Sequence, residues 1–278
     1  NNKGLEFSVS YDTNISDHVK IGMYGNMTTL KNKITSVFNG SYLNAGASLY
    51  GNSIIRLQEG QAVGSYYGYQ VEGIFQNQAE VDAWAVQNGA QAGGFKFADL
   101  DGNGVIDVRD KTFLGSPIPK GTYGFGVNLN VYDFDFAIDF QGVFGNKIYN
   151  FNREQRYGNE SWDLDFYNNR WHGEGTSNTY PMATNNQAII APNSFYVEDG
   201  SYIRIRNIQV GYNLPQSFAK SMSITKLRLY VSAQNPWTSF KYKGFSPEIM
   251  NTDRVQMGVD NNIYPISAIY TVGMNLTF

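Results

Sequence analysis

The stretch Thr122–Asn146, TYGFGVNLNVYDFDFAIDFQGVFGN, alternates with a period of two and then changes parity. Tyr123, Phe125, Val127, Leu129 and Val131 hold odd positions between Gly124, Gly126, Asn128 and Asn130, the pattern of an extended strand with one apolar face. After Tyr132 and Asp133 the apolar set moves to even positions, Phe134, Phe136, Ile138, Phe140 and Phe144, with Asp135, Asp139 and Gln141 between them. A two-residue connection sets Val131 opposite Phe134, so the change of parity is what a hairpin needs to keep both arms greasy on one side. Tyr-Asp is not the Asn-Gly or Asp-Gly pair of tight turns, which leaves a longer or bulged connection as the alternative. Each arm has roughly the 9–11 residues that a tilted strand needs to cross a bilayer, against about 5–6 for an ordinary strand. Such a face meets either a second sheet, as in a sandwich, or lipid, as in a barrel whose polar side lines a wet lumen.

Composition narrows the choice less than it first suggests. A mean hydropathy of −0.37 and 42% hydrophobic residues read as soluble, yet a barrel wall alternates and never builds the continuous apolar run of a membrane helix. The 20 Tyr, 18 Phe and 4 Trp would serve interfacial girdles, sugar platforms or an ordinary all-β core alike. A net charge of −3 with scattered Lys and Arg argues against a nucleic-acid partner. With no Cys there are no disulfides or thiolate metal sites, and His18 and His172 are the sole imidazoles. His18 beside Asp17 reads as a turn. The opening at Asn1, without Met or a leader, reads as an internal fragment.

The same alternation recurs on both sides of the hairpin. Leu5–Tyr11 and Val19–Lys33 form a first pair, and Ser201–Tyr212 follows, with a parity shift near Asn207 that predicts a bulge and with Arg204 and Arg206 facing the lumen. Leu227–Ala233 and Ala268–Phe278 complete seven strands. Connections are short at 15–18, 132–133 and 213–222, where Pro215–Met222 reads as one helical turn. They are long at 34–120, 147–197 and 236–265, the asymmetry of short periplasmic turns and long outer loops. The organisation expected is therefore 1–33 barrel strands, 34–120 an extracellular excursion, and 121–278 further strands and loops. Inside the first excursion, Ile54–Leu57 and Tyr66–Ile74 read as strands, and Gln78–Gln87 as a helix capped by Asn77 with Val81, Trp84 and Ala85 on one face.

Two loop segments carry candidate chemistry. In DLDGNGVIDVRD, Asp99–Asp110, side-chain oxygens fall at Asp99, Asp101, Asn103, Asp107 and Asp110, a backbone carbonyl at Val105, and Gly104 at the sixth position. This is the spacing of an EF-hand-type Ca²⁺ loop, with Asp in place of the usual final Glu and no preceding helix. An acidic turn held by its own Asx hydrogen bonds is the competing reading. The polar excursion 147–196 is dense in aromatics: Tyr149, Tyr157, Trp162, Tyr167 and Trp171, with Asp163, Asp165, Arg170 and His172 among them. Trp162, Asp163 and Trp171 are the candidate ligand contacts, because aromatic faces beside carboxylates suit sugar rings; a packed loop uses the same residues. Asp163 and Asp165 also raise a glycosidase reading, which nothing in the sequence supports with a raised acid.

EGQAVGSYYGYQVEGIFQN (Glu59–Asn77), FADLDGNGVIDVRDKTFLGSPIP (Phe97–Pro119), YIRIRNIQVGYNLP (Tyr202–Pro215), LRLYVSAQNPWT (Leu227–Thr238) and the terminal strand together resemble the carboxyl-terminal portion of SusC/RagA-type TonB-dependent transporters of Bacteroidetes. The resemblance implies an all-β fold, one part of a large antiparallel transmembrane barrel of the bacterial outer membrane, in contact with lipid. It implies a remaining barrel and plug portion supplied separately, a TonB complex reached through that portion, and a SusD-like surface lipoprotein over the outer loops. The implied cargo is an oligosaccharide or, in some relatives, a peptide. A passive porin, a soluble sugar-binding module and a surface glycosidase are the rivals, in that order.

Overall fold

The computed structural model describes residues 1–49, 51–156, 162–184, 190–221, 224–249 and 256–278; Tyr157 and Met222 lie outside them. Seven long strands form one antiparallel sheet in sequence order: β1 (Asn2–Ser16), β2 (Val19–Asn32), β3 (Gly121–Val131), β4 (Phe134–Phe144), β5 (Tyr202–Asn213), β6 (Lys226–Phe240) and β7 (Ile269–Thr277). Val131 stands opposite Phe134, so the β3–β4 connection is the tight two-residue turn. Tyr132 adopts φ +52° there, outside the usual range for a bulky residue. Its N–H donates to the His18 carbonyl (2.8 Å) and its ring stacks on His18 at 4.8 Å, which ties the two turns at that end together.

The bulge near Asn207 is present, with Arg206 inserted between Ile205 and Asn207 on both flanking ladders. A second irregularity was not expected: β6 runs on through Pro236 to Phe240, whereas the sequence places the start of the third loop at Pro236. Asn235 (φ +50°) sits in the interval where the register against β5 slips, so Pro236 occupies a bulge, where a missing N–H costs no ladder bond.

Along β3 and β4 the odd and even apolar sets fall on one face, as Phe125 stacked on Phe140 at 4.7 Å illustrates. That face is not covered. Phe125, Phe136 and Val272 are 40%, 39% and 84% exposed, and Phe7, Val9, Val231 and Met274 are exposed with them. No helix among the described residues is long and apolar enough to cross a membrane, which bears only on helical spans. The opposite face is polar: Tyr24 donates to Asp139 (2.6 Å), Arg228 forms a two-pronged pair with Asp135, and the Arg204 guanidinium meets Glu248.

The core lies elsewhere, at the end of the sheet from which all three long connections leave. Ile54, Tyr66, Phe95 and Phe97 from the first excursion pack with Tyr149, Phe166 and Tyr196 from the second and Val259 from the third. Short sheets frame this lobe, the outer one in the expected orientation, one ordered Lys111–Gly115, Tyr66–Tyr69, Asn52–Leu57, Leu43–Leu49, another ordered Val197–Asp199, Lys147–Asn150, Val259–Asp260. The segment read as one strand, Tyr66–Ile74, is two, because Val71–Ile74 turns away to pair with Phe95–Phe97. Helix α1 (Gln78–Ala83) starts as expected, with Asn77 accepting from the Glu80 N–H at 3.0 Å, but stops four residues early. Trp84 leaves the helix to donate its indole N–H to the Phe97 carbonyl (2.9 Å), and Val86–Gln87 pairs with Val105–Ile106. Three further short α-helices lie among the described residues: α2 (Phe151–Gln155), α3 (Leu164–Asn169) and, in the short connection between β5 and β6, α4 (Gln216–Ser221).

Candidate functional site

The Asp99–Asp110 loop is organised by two of its carboxylates. Asp99 accepts from the N–H groups of Gly102 and Gly104, each at 2.8 Å, and Gly104 turns at φ +80°, the sharp sixth position that the spacing requires. Asp110 is fully buried and accepts from Leu100 and Asp107 N–H groups, both at 2.8 Å. Asp99, Asp101 and Asp110 each bring one carboxylate oxygen within 4.8 Å of the other two. The other three expected donors have partners of their own within the loop and beside it. Asp107 caps the short turn Val108–Asp110 and holds the Arg109 guanidinium at 2.7 Å, and that hydrogen bond keeps its carboxyl below the usual range. Asn103 bonds to Asp101 and to the Val105 N–H, and Val105 joins the ladder with Val86. Three converging carboxylates, with no nitrogen or sulfur donor, have the chemistry of a hard-cation site.

The aromatic excursion builds a separate concavity of about 160 Å³, walled by Trp162, Phe166 and Phe245 and edged by Arg153, Arg156 and Lys243. Arg153 is its buried anchor, paired with Asp165 (3.0 Å), Asp163 (3.1 Å) and Glu198 (3.8 Å). Asp163 also caps α3, accepting from the Phe166 N–H at 2.7 Å. Burial raises the Asp165 carboxyl, but hydrogen bonds from Tyr180, Arg153 and Lys243 outweigh it and hold the group low. Asp163 and Asp165 both pair with Arg153, and the bonds that hold Asp165 low do not suit it to the protonated acid of glycoside cleavage.

Trp162 and Asp163 are brought to this concavity; Trp171 is not. Trp171 packs into the lobe core over Gly93, which adopts φ +81°, and a Cβ there would meet Trp171 Cε3 at 2.4 Å and Met182 Cβ at 2.9 Å. Gly93→Ala is expected to destabilise the lobe by roughly 1–3 kcal/mol, read as a lowered thermal midpoint of the full-length protein.

Sequence reasoning passed over Glu154. It lies on α2, is almost wholly buried, and accepts from the Tyr149 hydroxyl at 2.8 Å, while its second oxygen is buried without a partner. Burial pushes its carboxyl up to about 8. Nothing in FNREQ distinguishes this Glu from an exposed helical one; only the fold of the flanking excursions buries it.

An uncovered apolar sheet face, a polar reverse and long loops gathered at one end describe a piece of a membrane barrel. No protein-family model matches the chain. Over its whole length it is 34% identical to TonB-dependent receptor P3 of Formosa agariphila and 25% identical to TonB-dependent receptor SusC of Bacteroides thetaiotaomicron. Along its whole length the chain is similar to TonB-dependent receptors, SusC among them. It spans 28% of the length of the first of these relatives and 26% of the second. A solved structure of the RagAB peptide transporter superposes on all of it with a TM-score of 0.77 at 21% identity, covering 29% of that chain. The RagAB peptide importer in its closed-closed state gives 0.73 at 22% identity, likewise over 29% of that chain. At those identities the likeness concerns the fold. TonB-dependent receptors, SusC and RagA are outer-membrane proteins, and the uncovered face bearing Phe125, Phe136 and Val272 has the character of a lipid-facing wall.

Proposed function

We propose that this chain forms lumen wall and outer surface of a TonB-driven importer of oligosaccharides across the outer membrane. The observation that carries the reading is the separation of an oily sheet face from a polar one bearing Asp139, Tyr24 and the Asp135–Arg228 pair, with a folded lobe at one end only. β1 and β7 each pair on one side alone among the described residues, and unpaired backbone in hydrocarbon is prohibitive. Further barrel strands must therefore pair with both, and a plug within them gives TonB its handle. A SusD-like lipoprotein covers the lobe. Peptide is the second cargo reading, favoured by the likeness to RagAB. In cells carrying the full-length receptor, uptake of labelled oligosaccharide is expected to fall to background without TonB, and unlabelled peptide is expected not to compete. Uptake that persists without TonB would restore the porin reading.

The Asp99–Asp110 loop fits Ca²⁺ through Asp99, Asp101 and Asp110, as a stiffener of the outer lobe without a role in bond chemistry. At a hundredfold excess over its dissociation constant, a bound ion stabilises the folded form by about 2.7 kcal/mol. The full-length receptor is therefore expected to melt several degrees higher in calcium than in chelator, and Asp99→Ala with Asp101→Ala to abolish the difference. Identical melting curves with and without chelator would count against the ion.

A further inference from the structure

Resting on the importer reading, we infer that the concavity beside Trp162 binds a carboxylate carried on a ring or an apolar body. Its hydrogen-bonding groups are unequally occupied within the protein. The acceptors are engaged. Asp163 takes bonds from Arg153 and the Phe166 N–H, the Asn150 side-chain oxygen accepts from the Arg153 N–H (3.0 Å), and that of Asn152 accepts from the Asn262 N–H (2.8 Å).

The donors are not. The Trp162 indole N–H is buried without an acceptor among the described residues and is not counted with them. Arg156 makes a single long bond, to Asn262 at 3.4 Å, and meets no carboxylate among the described residues. Lys243 holds Asp165 at 3.3 Å, which occupies one of the three N–H groups of its ammonium. Arg153 is already surrounded by Asp163, Asp165 and Glu198. A cavity whose carboxylate already holds Arg153 and the Phe166 N–H, and whose Arg156 and Lys243 keep N–H groups to spare, selects a ligand that accepts and carries negative charge.

The walls set the rest of the ligand. The Phe245 ring is 72% exposed, and Phe166 lies edge-on to Trp162 at 5.7 Å. Arg170 covers the Trp162 ring at 5.3 Å, so the face left for stacking is that of Phe245. The volume, about 160 Å³, is below the roughly 300–1,000 Å³ of sites that enclose drug-sized molecules, and matches one ring-sized group. Two sources present this chemistry to an outer loop: a uronic acid unit of an oligosaccharide and the carboxyl terminus of a peptide.

The detergent-purified full-length receptor is titrated with glucuronate, glucose, trialanine and trialanine amide, read by tryptophan fluorescence and calorimetry. At least one acid is expected to bind about tenfold or more tightly than its neutral counterpart, and the pair that discriminates identifies the source. Arg156→Gln with Lys243→Met is expected to remove the discrimination, while Phe245→Ala weakens acid and neutral probes alike. Equal binding of acid and neutral probes, binding by none of the four, or a preference that survives the double variant would overturn the inference. TonB-dependent uptake that continues despite such a result leaves the importer reading standing; discrimination without TonB-dependent uptake does the reverse.

Discussion

Glu154→Gln is expected to stabilise the outer lobe at pH 8 by a few kcal/mol and to leave it almost unchanged near pH 4.5. Glu154 titrates at about 8 in the folded protein against a reference value of 4.5, because burial disfavours its charged form. The sign follows from proton counting. Between those two values the folded state keeps its proton and the unfolded state has lost it, so stability falls as pH rises through the window and levels off above about 8. Integrated to pH 8, the loss is on the order of 4 kcal/mol relative to an unionisable group. Glutamine keeps the shape and the acceptor for the Tyr149 hydroxyl but cannot ionise, so the difference between variant and wild type is expected to widen from pH 4.5 to pH 8. Thermal midpoints of the full-length receptor across that range, with amide exchange at Tyr149 and Phe151 as a local readout, check it. A parallel pair of stability curves would show that the acid is not buried in solution.

What the bare sequence revealed depended on whether a feature was written in local periodicity or in contacts between distant segments. The hairpin between Val131 and Phe134 was legible because register and parity are the same statement in an alternating strand. The bulge at Arg206 was legible for the same reason, since an inserted residue shows as a parity shift. The passage of β6 through Pro236 was not, because a proline reads as a terminator unless the bulge that accommodates it is known. Helix α1 had a visible cap at Asn77, but its end was set by partners remote in sequence, Phe97 for Trp84 and Val105 for Val86.

The candidate sites divide along the same line. Asp99, Asp101 and Gly104 are close in sequence and their convergence was readable from spacing, whereas the diversion of Asp107 to Arg109 needed side-chain geometry. Trp162 and Trp171 look alike in a polar excursion. One edges a concavity and the other fills core against Gly93, and composition carries no information about which. That the three long connections share one hydrophobic core was equally invisible, because Ile54, Tyr149 and Val259 are separated by whole strand pairs. Glu154 falls in this class, which is why its titration emerges only from the folded lobe.

Val127→Arg is expected to cost the barrel roughly 2–4 kcal/mol, while Asn128→Arg, one residue along the same strand, is expected to be tolerated. Val127 lies near the middle of β3, paired with Met23 on one side and Ile138 on the other, all on the uncovered apolar face. An arginine there must reach the interface past those neighbours or carry its charge into hydrocarbon, and the penalty is greatest at mid-depth. Asn128 pairs with Gly22 and Ala137 and is exposed on the polar reverse, where water and the carboxylates Asp12 and Asp139 are at hand. The contrast removes the usual ambiguity of a destabilising mutant, since both changes add the same side chain to the same strand and differ only in face. The measurement is the amount of heat-modifiable, folded full-length receptor recovered from outer membranes, with refolding into lipid vesicles as the quantitative version. If Val127→Arg assembled as well as Asn128→Arg, the face bearing Phe125, Phe136 and Val272 would not be the one that meets lipid, and the wall would have to be turned inside out.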